Sequence, residues 1–136
     1  MHILSTIYLP LILLTMIFCH MVDDYYLQGW LASAKQKKWW KENCPNPLYR
    51  NDYKIALAEH AFSWTFSIHI PIVLHILYCD GYYSSIFFLL SFVINWIIHT
   101  IVDDLKANKM KINLVQDQTI HLIQIFITWI IYINTL

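Results

Sequence analysis

The chain alternates long apolar runs with polar stretches that hold most of its charge. Apolar runs cover residues 3–22, 56–78, 82–102 and 114–133, each close to the ~20 residues that carry a helix across bilayer hydrocarbon. This pattern predicts an all-α, four-transmembrane-helix bundle making one membrane domain over residues 1–136. Glu59, His60, His69, Pro71 and His75 interrupt the second run, but a proline is tolerated where neighbouring helices satisfy the freed carbonyl. Cys79-Asp80-Gly81 predicts a tight hairpin, with the second and third helices as antiparallel neighbours. The first run reads as a span rather than a cleaved signal, because no Lys or Arg precedes it and no small-residue cleavage pattern follows it.

Composition supports the membrane reading. Hydrophobic residues make up 58%, charged residues only 13%, and mean hydropathy is +0.47. A soluble bundle would need charges scattered along its helices to solvate their outer faces, whereas here they are bunched. Lys35, Lys37, Lys38, Lys41, Arg50 and Lys54 lie between the first two runs, and Lys106, Lys109 and Lys111 between the last two, which accounts for all 9 basic residues. The positive-inside rule makes both loops cytoplasmic and puts the termini and the short hairpin outside. The abundance of Ile, Lys and Asn suggests AT-rich coding, which fits a bacterial or phage source and a multi-pass location in the bacterial inner membrane.

Residues 29–53 mix lysines with Trp30, Trp39, Trp40, Tyr49 and Tyr53, a combination suited to the headgroup layer and read as an interfacial anchor. Cys19, Cys44 and Cys79 give neither a disulfide framework nor a C-x-x-C pair. Two glycines leave no phosphate-cradling loop, and no nucleic-acid motif is present. The expected partner is the bilayer. Small-residue dimer motifs of the G-x3-G type are absent, which disfavours glycine-driven pairing but leaves a homo-oligomer open.

The candidate chemistry lies in histidines and aspartates at helical spacing. His20 and Asp24, His99 and Asp103, and Asp117 and His121 are each four residues apart, which places each pair on one helix face a turn apart. Gln28, Asn95 and Gln124 extend these stripes. In the four-span topology the pairs and His60 occur at the cytoplasmic ends of their helices, so the bundle brings them to one depth. Four imidazoles and three carboxylates form a ligand set for zinc, manganese or iron. His20, His60, His99 and His121 are the candidate ligands, with Asp24, Asp103 and Asp117 as ligands or general base. Lys35 and Lys106 are candidates to hold an anionic substrate group. The competing view is that Asp23, Asp24, Asp103 and Asp104 are solvated loop starts near the interface. Ionisable residues within or just inside spans nevertheless point to function. His69 and His75 are expected to hydrogen-bond to neighbouring helices or to Ser63 and Ser67. Glu59 is either a partner of the site or an interfacial side chain, and His2 has no assigned role.

The ordered pattern H-x3-D-x3-Q (His20, Asp24, Gln28), a lone helical His60, H-x3-D-x2-K (His99, Asp103, Lys106) and D-Q-x2-H (Asp117, Gln118, His121) resembles a family of small bacterial and phage membrane proteins of unknown function. The resemblance covers nearly the whole chain and implies no particular activity. A more distant likeness is to inner-membrane proteins described as metal-dependent hydrolases. The doubled acids Asp23-Asp24 and Asp103-Asp104 depart from the pattern and keep Asp23 and Asp104 as alternatives.

Two functional classes follow. One is a membrane-embedded, metal-dependent hydrolase of a lipid or lipid-linked phosphate. The other is a non-enzymatic assembly, structural, transport or proton-conducting protein in which the same residues form a hydrogen-bonded plug.

Overall fold

The structure is a computed structural model that describes residues 2–78 and 85–135, with side chains from residue 8 onward. The described residues form helix α1 (His2–Val22), continued by a π-helical turn (Asp23–Leu27), and the short helices α2 (Leu31–Ala34) and α3 (Lys37–Asn43). A 3-10 turn (Pro47–Tyr49) then leads to α4 (Asp52–Tyr78), α5 (Ser85–Ala107) and α6 (Leu114–Ile133). The expected hairpin at Cys79-Asp80-Gly81, the first residues of the expected third span and the side chain of His2 lie outside the described residues.

Four helical segments, Tyr8–Leu27, Pro47–Tyr78, Ser85–Ala107 and Leu114–Ile133, are long and apolar enough to cross a membrane, as a multi-pass protein requires. They pack as a ring in the order α1, α4, α5, α6, with α6 closing back on α1. The distribution of side chains is inverted relative to a soluble bundle. Leu14, Phe18, Phe66, Leu89, Ile101 and Phe126 face outward, while polar and charged residues outnumber hydrophobic ones among the buried positions described.

The inversion is written at helical spacing. In α5 the buried residues include Ser91, Asn95, His99 and Asp103, one every fourth position, and all the residues between them but Thr100 are apolar. In α6 they include Asp117, His121, Gln124, Thr128 and Tyr132. Each stripe can be inside only if another helix supplies polar partners, since an unpaired polar group in an apolar medium costs several kcal/mol (roughly 2–7).

The interior has two storeys. Toward the end that holds both termini, Ile12, Met16, Trp64, Ile68, Ile72, Ile125 and Tyr132 make an apolar core. It is tied by a 2.8 Å hydrogen bond from Trp129 Nε1 to the Leu9 carbonyl and by a 2.5 Å contact between His75 Nδ1 and the Tyr132 hydroxyl. The other storey, at the opposite ends of the helices, is polar.

Element boundaries differ from the hydropathy reading where polar residues extend a helix. α4 begins at Asp52 rather than 56, and α5 runs to Ala107 rather than 102, because hydropathy registers hydrocarbon thickness and not the extra turns beyond it. α6 starts where expected because Asn113 and Gln116 form a reciprocal capping box. The region 29–53 is more ordered than an interfacial loop. Gly29, at φ +50°, turns the chain out of the π-helical segment, and α2 and α3 follow. Trp30, Trp39 and Trp40 then pack edge-to-face with centroids 5.1–6.0 Å apart, and Trp40 stacks on Tyr49.

Candidate metal centre

Each of the four long helices sends at least one buried polar side chain to the same storey. The segment after α1 contributes Asp24, α4 contributes His60, α5 contributes His99 and Asp103, and α6 contributes Asp117 and His121. Three overlapping sets, Asp24/His60/His99, His99/Asp103/His121 and Asp24/Asp117/His121, each place one ligand atom per residue within 4.8 Å of the others. These buried groups can hold a metal ion.

The atoms that face one another are specific. His60 Nε2 lies 3.3 Å from Asp24 Oδ1, 3.4 Å from Asp103 Oδ2 and 3.3 Å from His99 Nε2. His121 Nε2 is 3.4 Å from both Asp103 Oδ1 and Asp117 Oδ1, and His99 Nε2 is 3.8 Å from Asp103 Oδ1. A tetrahedral site with bonds of ~2.0–2.1 Å has ligand–ligand edges of about 3.3–3.4 Å. The observed spacing therefore suits ligands around a shared ion better than hydrogen-bond partners, which sit at ~2.7–3.2 Å. In agreement, His121 Nε2 and Asp117 Oδ1 are buried and lack a hydrogen-bond partner despite their proximity; His99 Nδ1, on the ring edge that does not make these contacts, is also unpartnered.

The carboxylates are oriented from behind. Lys35 Nζ bonds Asp103 Oδ2 at 2.7 Å, and Lys106 Nζ bonds Asp117 Oδ2 at 2.5 Å. Gln118 Nε2 donates to Asp24 Oδ2 at 2.7 Å and to Asp117 Oδ2 at 3.1 Å, and Gln28 Nε2 donates to Asp24 Oδ1 at 2.9 Å and to the Asp24 carbonyl. Thus Asp103 and Asp117 each have Oδ2 fixed by a lysine and Oδ1 turned toward imidazole, and Asp103 Oδ2 faces His60 as well. Three carboxylates and two lysines with neutral imidazoles leave one net negative charge in a buried site, which a cation at the focus would offset.

A similar arrangement orients His121. Gln124 Nε2 donates to the Asn95 carbonyl and to Asn95 Oδ1, each at 3.2 Å, so the Gln124 amide oxygen faces His121 Nδ1 at 3.1 Å. Asn95 is held in turn by bonds to the Ser91 carbonyl and the Thr128 hydroxyl. This chain places the proton of neutral His121 on Nδ1 and leaves the Nε2 lone pair facing the carboxylates. The imidazoles of His99 and His121 stack 4.1 Å apart, and the Trp64 indole lies against both, 4.2 Å from His99 and 5.3 Å from His121.

His20 differs from the expectation. It is buried at the same depth, yet its Nδ1 accepts the Trp64 indole N–H at 2.7 Å. An indole nitrogen is only a donor, so neutral His20 carries its own proton on Nε2 and offers no free lone pair there. It packs edge-on to His121 at 6.0 Å and borders the focus. Lys35 and Lys106, expected to await a substrate anion, engage carboxylates of the site itself.

The doubled acids separate cleanly. In the π-helical turn both Asp23 and Asp24 are buried, but Asp23 Oδ1 accepts from the Ser63 and Ser67 hydroxyls at 2.7 and 3.1 Å. Those serines therefore serve Asp23 and not the histidines above them. His69 instead bonds the Thr65 carbonyl and the Ser91 hydroxyl, and His75 meets Tyr132. Asp104 pairs with Lys109 at 2.8 Å away from the focus, and Glu59 is exposed.

Trp64 and the turn that separates Asp23 from Asp24 were not among the sequence candidates. The only sequence signal for Trp64 was its position one turn beyond His60 on the same face. No family model, no curated protein and no solved structure matches the chain.

Proposed function

We propose that this chain is a multi-pass protein of the bacterial inner membrane, with both basic loops cytoplasmic and both termini outside, and that it acts as a metal-dependent hydrolase of a lipid or lipid-linked phosphate. The orientation rests on the positive-inside rule. The observation that carries the enzymatic reading is the convergence of buried imidazole Nε2 and carboxylate Oδ1 atoms at ligand–ligand spacing, two of them lacking hydrogen-bond partners.

His60, His99 and His121, with oxygens from Asp24, Asp103 and Asp117, would hold one or two ions. Their nitrogen and oxygen donors suit zinc, manganese or iron. Such an ion supplies an acidified water and a polarised phosphoryl oxygen. Where its Oδ1 does not ligate the ion, Asp117 would serve as the general base through that oxygen, because Lys106 holds the other. Lys106 is partly exposed, with 34% of its side-chain surface accessible, so it also presents positive charge to an incoming anion. Lys35 bonds Asp103 and fixes it at the base of the site.

A second reading is favoured by the same lysine pairs. A proton on one imidazole would offset the residual negative charge as a cation does, and the cluster would then be a hydrogen-bonded plug in a structural or transport protein. Phosphate release from phosphatidic acid and from a polyprenyl diphosphate, assayed with zinc, manganese or ferrous iron supplied separately, distinguishes the two. The hydrolase reading expects metal-dependent release by the parent protein and loss of release in Asp117→Asn. Metal-loaded parent protein that releases no phosphate from either substrate would favour the plug.

A further inference from the structure

A cleft of about 460 Å³ lies between α1 and α6, lined by Ile17, His20, Met21, Tyr25, Tyr26, Gln118 and Leu122. This volume lies within the ~300–1,000 Å³ typical of small-molecule sites. Its chemistry is graded. Met21, Tyr25, Tyr26 and Leu122 are exposed at its mouth, His20 is buried at its floor and Gln118 is half-buried beside it. The floor borders the candidate metal centre, since the Gln118 amide nitrogen that lines the cleft donates to Asp24 and Asp117.

We infer that this cleft is a lateral entrance through which a membrane lipid bearing a phosphate head reaches the His/Asp cluster, its chain lying between α1 and α6. The inference deepens the hydrolase reading and rests on it for the identity of the head group. Three observations select a lipid. The cleft opens on the outer flank of helices apolar enough to span a bilayer, near the end of the first of them. Its walls, Ile17, Met21 and Leu122, suit an acyl chain, and His20 and Gln118 set polar groups at its inner end. Tyr25 and Tyr26 stand at the end of the first span, the level at which amphipathic rings favour the interface. Access from the side also avoids exposing an acyl chain to water among the loops.

The test uses full-length protein reconstituted in phosphatidylcholine nanodiscs, with its metal content measured. A phosphatidic acid carrying a diazirine on one acyl chain is irradiated in place, and adducts are mapped by peptide mass spectrometry. A diacylglycerol with the same diazirine is the headless control. Adducts of phosphatidic acid are expected to concentrate on Met21, Tyr25 and Leu122, and those of diacylglycerol to spread over all outer faces. Filling the cleft with Leu122→Trp, or with Met21→Trp from the opposite wall, is expected to abolish the focused adduct. Even labelling around the bundle by both lipids overturns the entrance, and so does displacement of the focused adduct by inorganic phosphate, which would assign the cleft to a soluble anion. Focused labelling of metal-free protein keeps the entrance and removes the metal centre, whereas even labelling of metal-loaded protein does the reverse.

Discussion

Replacing Lys35 by methionine tests whether the region between the first two long helices completes the buried site. Lys35 belongs to none of the long helices, yet it is 9% exposed and its ammonium lies 2.7 Å from Asp103, which is 2% exposed. Methionine retains most of the apolar stem and removes the charge, leaving the Asp103 carboxylate buried beside imidazoles only. Removing one partner of a buried ion pair costs about 3–5 kcal/mol, most of it from the charge left behind. The control is Lys38→Met, since Lys38 and Glu42 are 3.7 Å apart with 78% and 59% of their side-chain surfaces exposed. Exposed helical pairs of this kind contribute about 0.3–0.5 kcal/mol. The assay is equilibrium unfolding in detergent with a chelator present, followed by circular dichroism, so that metal binding does not enter the comparison. Adding Asp103→Asn to Lys35→Met removes the stranded charge and is expected to recover part of the loss, giving a coupling energy well above the ~0.3–0.5 kcal/mol expected of independent sites. If Lys35→Met were no more destabilising than Lys38→Met, Lys35 would be a surface residue and the site would be open at its base.

Two further outcomes separate orientation of the site from stability of the bundle. Gln124→Leu removes the acceptor for His121 Nδ1–H while leaving every proposed ligand in place, and is expected to weaken metal binding about 10–100-fold in a chelator competition, with helix content unchanged. Gln124→Glu, which keeps an acceptor, is expected to recover much of that affinity. Ser63→Ala and Ser67→Ala remove donors to Asp23 on the seam between α1 and α4. Each is expected to cost about 0.6–1.7 kcal/mol of stability while leaving metal affinity unchanged. A fall in affinity would connect Asp23 to the site.

Much of this site is legible in the sequence because helical spacing determines which residues share a face. His99 with Asp103, and Asp117 with His121, are four apart, and each pair meets across one turn at 3.8 and 3.4 Å. The third pair shows the limit of that rule. Between His20 and Asp24 the helix passes into a π-helical turn, and tertiary partners then decide: Trp64 takes His20, while His60 and Gln118 take Asp24. A similar contest separates Asp23 from Asp24, and only the serines on α4 settle it. Spacing also indicates nothing about contacts between distant segments. Lys35 and Asp103 are 68 residues apart, and their meeting depends on how α2 folds back against the bundle. Hydropathy located the four long helices but could not mark their polar ends, where capping side chains and ion pairs extend the helix past the apolar run.

The most direct test of the metal centre is elemental mass spectrometry on protein purified in detergent without chelators, beside a folded His99→Ala/His121→Ala variant. Near-stoichiometric zinc, manganese or iron in the parent and its loss in the variant is the expected result. A parent that carries no metal as purified, and none after reloading with each ion in turn, would contradict the metal centre and leave the His/Asp cluster as a hydrogen-bonded plug.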